Sequence, residues 1–260
     1  MAHALVGPGS GDARAPRLGR PVRDPGAPGV VDGVVLLLPD GVPESGRGPS
    51  LLAHAALRPL GRSLVRAAGR DHGLVAHVVR YRGRGWNGAD ARLAADARWA
   101  VGEVARRHGD VPVCLVGHGM GGRAALRAAD HAAVVSVLAL APWLPGDDVA
   151  AEPEPVRQLL GRQVMVVHGT TDETAHPELS YRLAIRAKKA NRSTCRFEVH
   201  SDGHALRQHH GEVLALAADF VLGSLFGRPF SRPVADAFAA PPPLGLRMPL
   251  AAGFGRSLRP

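Results

Sequence analysis

Cysteines, aromatic residues and long apolar runs are all scarce in this chain of 260 residues. Its two cysteines, Cys114 and Cys195, lie in apolar segments expected to form separate strands. We therefore predict two buried thiols, with a disulfide as the alternative. Aromatic residues make up only 4% of the sequence, which leaves few rings to stack on nucleic-acid bases. Because no apolar run reaches the roughly 18 residues of a transmembrane helix, we expect no membrane-spanning segment.

The beginning of the chain also lacks the pattern of a secretory signal. Residues 1–6 form too short an apolar run, and glycine and proline follow at once. Together with the expected free thiols, this pattern predicts a cytoplasmic protein.

The net charge of +9 raises the question of a nucleic-acid partner, but most of the surplus lies in two terminal segments. These segments, residues 1–29 and 228–260, are rich in proline, glycine and arginine and have no apolar period. They bury too little apolar surface to offset the loss of chain entropy, so we predict two flexible tails. The remaining charge is not concentrated in one segment, and we therefore expect no specific nucleic-acid partner and no membrane partner.

Between the tails, residues 30–227 are expected to form one globular domain, because 45% of the chain is hydrophobic. Apolar runs alternate with amphipathic segments, which predicts a mainly parallel sheet with helices on both faces. About six strands are predicted, at 30–38, 74–80, 111–116, 134–141, 163–167 and 195–199. Helices are predicted at 51–68, 89–108, 120–129, 177–190 and 211–225, with a short one near 155–161.

The most informative segment is G-H-G-M-G-G at residues 117–122, between a predicted strand and a predicted helix. A tight strand-to-helix turn of the G-x-S-x-G type carries a nucleophilic serine at its centre. Here the central residue is Gly119, which has no side chain and cannot attack a carbonyl carbon. The segment is therefore a nucleophile elbow without a nucleophile.

The elbow and two later motifs resemble the α/β-hydrolase family, whose small esterases, lipases and acyl hydrolases often have G-H-S-M-G-G. The motif H-G-T-T-D at 168–172 is similar to the family's acid turn, and S-D-G-H at 201–204 is similar to its histidine loop. Each motif follows a predicted strand in the family's chain order. The resemblance extends over residues 30–226 and implies an α/β-hydrolase fold. The spacing between the elbow and the acid leaves no room for a large lid.

The resemblance implies a role for each motif. Gly119 occupies the degenerate nucleophile position, Asp172 is the acid and His204 is the base. A histidine paired with a carboxylate activates a serine hydroxyl in this arrangement. Asp147 and Asp148 are the alternative acids, and His204 has the alternative of being an exposed histidine in a histidine-rich stretch.

The resemblance also implies an oxyanion hole formed by two backbone N–H groups, those of Met120 and Gly41. Asp40 stands where relatives often have a histidine. A carboxylate at that position would oppose a developing oxyanion electrostatically. The sequence thus departs from the family pattern at Gly119, the nucleophile position, and at Asp40, next to the oxyanion hole. These are the two positions at which the chemistry of the family tolerates least change.

Further residues near predicted strand ends are candidates for lining a pocket: Asp40, His118, Trp86 and Trp143. Ordinary packing is an equal alternative for the two tryptophans, and a structural role is favoured for His118. The histidines at 200, 209 and 210 raise the possibility of a metal, but no cysteine or carboxylate pattern accompanies them. We therefore predict no metal and no cofactor.

Three functions fit these observations. The favoured one is an ester or acyl hydrolase-like protein, impaired or inactive as a serine hydrolase, with a small-molecule ester or acyl ligand. The second is a non-covalent hydrolase or lyase in which the His204–Asp172 pair acts as a general base, with water in the volume left by the missing hydroxyl. The third is a non-catalytic binding or scaffold protein. For the first we expect Gly119→Ser to raise the hydrolysis of short acyl esters.

Overall fold

The computed structural model of the chain describes residues 15–146 and 153–255. It has a mixed α/β fold with one mostly parallel sheet, which confirms the predicted fold class. The eight strands, in chain order, are β1 (Arg17–Leu18), β2 (Gly33–Leu38), β3 (Leu74–Arg80), β4 (Val113–His118), β5 (Val134–Leu140), β6 (Gln163–Gly169), β7 (Thr194–Val199) and β8 (Met248–Pro249).

Within the described residues, seven α-helices connect or follow these strands. They are α1 (Leu51–Ala56), α2 (Arg58–Ala68), α3 (Arg92–His108), α4 (Met120–Arg127), α5 (Pro177–Ala190), α6 (His210–Phe226) and α7 (Arg232–Ala239). Short 3-10 turns lie at Gly88–Asp90, Arg157–Leu159 and Leu244–Leu246. The predicted helix 51–68 is divided in two because Pro59 lies in the first turn of α2, where its missing N–H costs no hydrogen bond.

The order of the strands places a switch point beside the elbow. The sheet runs β1-β3-β2-β4-β5-β6-β7-β8, and every pair is parallel except β1 with β3. From β2 the chain passes to β3 on one side and then to β4 on the other. In open parallel sheets, ligands bind outside the carboxyl ends of the strands at such a point.

Helices cover both faces of the sheet, so the central strands are buried on both sides. All six residues of β2 are buried. Helices α3, α4 and α5 pack on one face, and α2, α6 and α7 pack on the other. This arrangement explains why the central strands are continuous apolar runs rather than alternating ones.

The sheet has eight strands rather than the predicted six, because two short strands cover its edges. Strand β1 pairs antiparallel with β3, and β8 pairs parallel with β7. Each has only two residues, too few for a recognisable period-2 pattern. An exposed sheet edge has unpaired backbone N–H and C=O groups, and these short strands satisfy some of them.

The C-terminal segment also differs from the expected flexible tail. Helix α7 buries Val234 and Ala237, and Leu246 and Leu250 are buried beyond it. The tail also supplies acceptors to buried cations, since Lys188 Nζ donates to the carbonyl oxygen of Phe238 at 2.6 Å. Apolar side chains spaced too irregularly to form a pattern hold this segment to the domain together with such hydrogen bonds, which explains why composition alone predicted a tail.

The N-terminal tail is described from residue 15. Beyond β1, Val22 forms an isolated bridge with Ala76 in β3, so this part of the predicted tail also lies on the sheet edge. Among the helices of the described residues, none is long and apolar enough to cross a membrane.

Candidate functional site

The candidate site is built from four loops that follow the carboxyl ends of parallel strands. Asp40 follows β2, Gly119 follows β4, Asp172 follows β6 and His204 follows β7. Because these ends share one edge of the sheet, residues that are far apart in sequence meet there. The structure thus brings together the predicted nucleophile position, acid and histidine.

The elbow has the sharp bend that its glycines predict. Gly119 has φ 55° and ψ −121°, a conformation that L-residues with side chains rarely adopt. Its N–H donates to the carbonyl oxygen of Leu140 in β5 at 3.0 Å, and its carbonyl accepts from the N–H of Trp143 at 3.0 Å. Gly121 is needed for packing, because a Cβ there would collide with the carbonyl oxygen of Leu38. The turn is therefore held from both neighbouring strands.

The space in which a serine side chain would begin is filled by another residue. A Cβ atom built on Gly119 would overlap the carboxylate of Asp40, with the carboxyl carbon and both oxygens within 2.8 Å. This contact joins residues on different loops, one after β2 and one after β4. Any side chain at residue 119 therefore requires the carboxylate of Asp40, the end of a flexible side chain, to move.

The same carboxylate takes both hydrogen bonds of the predicted oxyanion hole. The N–H of Met120 donates to Asp40 Oδ1 at 2.7 Å, and the N–H of Gly41 donates to the same oxygen at 2.8 Å. A pair of preorganised N–H groups is complementary to an oxyanion. In this structure the anion that they bind belongs to the protein itself.

The predicted acid and histidine are in hydrogen-bond contact. His204 Nδ1 lies 2.9 Å from Asp172 Oδ2, and the other carboxylate oxygen accepts the N–H groups of Thr174 at 2.8 Å and Ala175 at 2.9 Å. His168, which is fully buried, adds a contact from Nε2 to Asp172 Oδ2 at 3.1 Å. Asp172 is therefore fixed on both oxygens, and it orients the His204 ring.

The ionisation of the site follows from these contacts. Burial alone would raise the pKa of Asp172, but hydrogen bonds from His168, Ala175 and His204 lower that pKa well below its usual range. Burial likewise would raise the pKa of Asp40, but His204, His118 and two backbone N–H groups lower it.

The pKa values of the two histidines are shifted in opposite directions. For His204, burial opposes protonation, yet the carboxylates of Asp40 and Asp172 raise its pKa above the usual value. For His118, burial is the largest effect and lowers its pKa, although the nearby carboxylate of Asp40 partly offsets this. Two ionised carboxylates therefore flank the His204 ring.

His118 lies next to His204 rather than on a remote face. The ring centroids are 4.7 Å apart, and His118 Nε2 is 2.8 Å from the backbone oxygen of His204. The nearest atoms of His204 and Asp40, Nε2 and Oδ2, are 3.5 Å apart. Asp40, His118 and His204 thus form a compact polar cluster.

The rings of the two tryptophans both contact Arg123. The guanidinium carbon of Arg123 lies 4.0 Å from the ring centroid of Trp86 and 5.7 Å from that of Trp143. Arg123 also donates to Glu154 at 2.8 Å, and both of these charged side chains are buried. In the described part of the chain both tryptophan rings lie against Arg123 of this ion pair, which supports the packing alternative for them.

A cavity of about 640 Å³ opens beside the polar cluster. Its walls are mostly apolar and come from α1, α2 and the segment that leads into α6. Its polar members include Asp40 and His118. The apolar side chains in the wall are Leu52, Ala53, Ala56, Leu57, Leu60, Leu140, Ala205, Leu206, Val213 and Leu214. The cavity is large enough for a small organic ligand.

Sequence reasoning assigned no role to His168, although it begins the H-G-T-T-D motif and binds the acid. The ion pair of Arg123 and Glu154 was also missed, because its members are distant in sequence and follow no short motif. The alternative acids Asp147 and Asp148 lie outside the described residues.

Comparison with solved structures shows the α/β-hydrolase fold. An esterase of Pyrococcus furiosus superposes with a TM-score of 0.58 at 15% identity, covering 75% of this chain and 82% of the esterase. An α/β serine hydrolase without a lid, from Xanthomonas campestris, superposes with a TM-score of 0.58 at 17% identity, covering 82% and 90%. The esterase PE8 gives 0.59 at 16% identity, covering 80% and 100%.

At these identities the likeness establishes the fold and no more. No model of a protein family and no curated protein matches the sequence. The chain is thus an α/β protein with the α/β-hydrolase fold, and its described residues include no large lid. Gly119 at the elbow and the Asp40 carboxylate beside it are features observed in the site of this chain.

Proposed function

We propose that this protein is an esterase-like member of the α/β-hydrolase fold that has lost serine-type acyl transfer and retains a small-molecule binding site. One observation carries the proposal: the Asp40 carboxylate occupies both the serine position at Gly119 and the oxyanion hole. The site therefore lacks a nucleophile at the elbow and also lacks a free hole for a tetrahedral oxyanion.

Electrostatics support the loss of acyl transfer. Losing one oxyanion-hole donor costs an enzyme about 10²–10³ in kcat. In this site both donors are engaged by a fixed anion, and the negative charge of Asp40 would repel an oxyanion placed nearby. The paired His204 and Asp172 have no hydroxyl to deprotonate.

The ligand class follows from the cavity and from the proteins of similar fold. The wall of the cavity is mainly apolar, and its polar members are Asp40, His118, Arg207 and His210. The similar structures include esterases, so a small ester or acyl compound is the proposed ligand. General-base activation of water by His204 is the competing function, and the Asp40 carboxylate, which overlaps the Cβ position of residue 119, argues against it.

The test is to restore the nucleophile with and without the obstructing carboxylate. We expect wild type and Gly119→Ser to hydrolyse p-nitrophenyl acetate no faster than buffer, because the new Cβ would collide with Asp40. The double variant Gly119→Ser with Asp40→Ala should hydrolyse the ester and should be labelled by a serine-directed phosphonate. This expectation replaces the simpler one that Gly119→Ser alone restores activity.

Matched controls separate the alternatives. Gly119→Ala with Asp40→Ala has the same backbone and cavity but no hydroxyl, so it should be inert and unlabelled. Adding His204→Ala to the serine double variant should remove the gained activity. A double variant that is folded, inert and unlabelled would favour a binding or scaffold protein. Hydrolysis by wild type that is lost on His204→Ala would establish the general-base function instead.

A further inference from the structure

A candidate metal-ligand set lies at the cluster of Asp40, His118 and His204. The cluster offers one carboxylate oxygen and one nitrogen from each ring, and these three atoms lie within 4.8 Å of one another. The residues follow β2, end β4 and follow β7, so no sequence motif unites them. The histidine-rich stretch considered from the sequence contributes only His204.

The hydrogen bonds of the two rings leave one nitrogen of each available. His204 Nδ1 faces Asp172 Oδ2 at 2.9 Å, so this nitrogen carries the proton in the neutral ring and Nε2 carries the lone pair. His118 Nε2 faces the backbone oxygen of His204 at 2.8 Å, so Nδ1 carries the lone pair. Among the described residues, His204 Nε2 is a buried atom without a hydrogen-bond partner.

The carboxylate is arranged in the same way, with one oxygen engaged and one available. Oδ1 of Asp40 accepts the N–H groups of Met120 and Gly41, whereas Oδ2 lies 3.5 Å from His204 Nε2. Two ligand atoms bound tetrahedrally at about 2.0–2.1 Å from a metal ion are roughly 3.4 Å apart. The separation therefore suits two ligands of one ion.

The surrounding contacts also match those of metal-bound histidines. Such a histidine usually donates its other N–H to a carboxylate or a backbone carbonyl, which fixes the tautomer and the ring orientation. His204 has the first kind of partner in Asp172, and His118 has the second kind in the backbone of residue 204. Asp40 and His118 also line the cavity of about 640 Å³.

We propose that Asp40, His118 and His204 bind one divalent transition-metal ion of the zinc class, with Oδ2 of Asp40, Nε2 of His204 and one ring nitrogen of His118 as the ligand atoms. Two imidazoles and one carboxylate form a donor set that suits such ions, and three protein ligands leave a coordination position for a solvent molecule or a ligand in the cavity. Binding is measured without any substrate, so the inference stands independently of the proposed loss of acyl transfer.

The experiment is titration of Zn²⁺ into the untagged, chelator-treated full chain by isothermal calorimetry, with Co²⁺ absorption as a second measurement. We expect one ion per chain and the visible bands of tetrahedral Co²⁺. The single variants Asp40→Asn and His118→Gln should each abolish the tight site. Asp172→Asn, which removes the charge of the hydrogen-bond partner of His204 and leaves the three proposed ligands in place, should weaken binding about 10–100-fold.

Control variants lie in the histidine-rich stretch. His200→Gln and His209→Gln change side chains outside both the cluster and the cavity wall, and they should leave the stoichiometry and affinity unchanged. Circular dichroism of every variant checks folding, and the conservative Asp40→Asn keeps the size of the side chain. The proposal is overturned if wild type binds no stoichiometric Zn²⁺. It is also overturned if binding survives both cluster variants, or if it is lost with the two controls.

Discussion

At the scale of single residues, Gly119 and Asp40 form a matched pair. A glycine at the elbow leaves room for a carboxylate, and the carboxylate in turn takes the two N–H groups that would otherwise be unpaired beside a cavity. Buried backbone donors without acceptors are costly, so Asp40 stabilises the site that it obstructs. The two departures from the hydrolase pattern are thus one structural feature.

This pairing predicts that the effects of changing the two residues are not additive. Gly119→Ala should destabilise wild type by about 1–3 kcal/mol, because the added Cβ meets Asp40 and the positive φ disfavours alanine. In the Asp40→Ala background the steric part should vanish and leave the φ strain, with a coupling of roughly 0.5–3 kcal/mol. Urea unfolding of the four proteins measures the coupling, and equal costs in both backgrounds would contradict it.

At the scale of elements, the C-terminal segment belongs to the domain. Arg196 on β7 is buried, and its Nη1 donates to the backbone oxygen of Leu246 at 3.1 Å. Strand β8 then pairs with β7 and covers this edge of the sheet. The segment thus gives the buried guanidinium group of Arg196 a hydrogen-bond acceptor. It also pairs with backbone groups of the edge strand β7.

Two leucines in one 3-10 turn test this conclusion. Leu246 is fully buried, whereas Leu244 is 67% exposed. Leu246→Ala should lower the free energy of unfolding by about 2–5 kcal/mol, as for other buried leucines. Leu244→Ala should change it by no more than roughly 0.5 kcal/mol. Chemical denaturation of both variants gives the comparison, and similar small effects would show that the segment does not stabilise the domain.

At the scale of the whole molecule, both cysteines are buried free thiols on separate strands of the sheet. Cys114 lies on β4 and Cys195 lies on β7, with two strands between them. Burial raises the pKa of Cys114 to about 12, and burial also raises the pKa of Cys195 well above its usual value. The predicted buried thiols are confirmed, and the alternative of a disulfide does not hold.

The reactivity of these two thiols measures whether the core of the protein is folded. The thiolate is the reactive form, so native protein should not react measurably with Ellman's reagent at neutral pH. In guanidinium chloride both thiols should react rapidly, since each then regains an ordinary pKa and access to solvent. A thiol that reacts in native protein as fast as in denatured protein would contradict the burial of its strand.

The part of the fold that could be predicted was encoded locally. Continuous apolar runs predicted the central strands, and glycines 117, 119 and 121 predicted the turn that follows β4. The acid and histidine motifs could be placed because each follows its own strand. The edge strands could not be predicted, because two residues are too few for a period and their pairing depends on a distant neighbour.

The sequence alone determined the alternating α/β fold of this protein and the glycine at the centre of its strand-to-helix turn. Those features depend on residues within one turn or one strand, where spacing and side-chain type suffice. Only the tertiary structure decided that the carboxylate of Asp40 lies at the elbow. Asp40 and Met120 are 80 positions apart and meet because two parallel strands end side by side. Contacts across such loops depend on the packing of the whole sheet, and no local pattern encodes them.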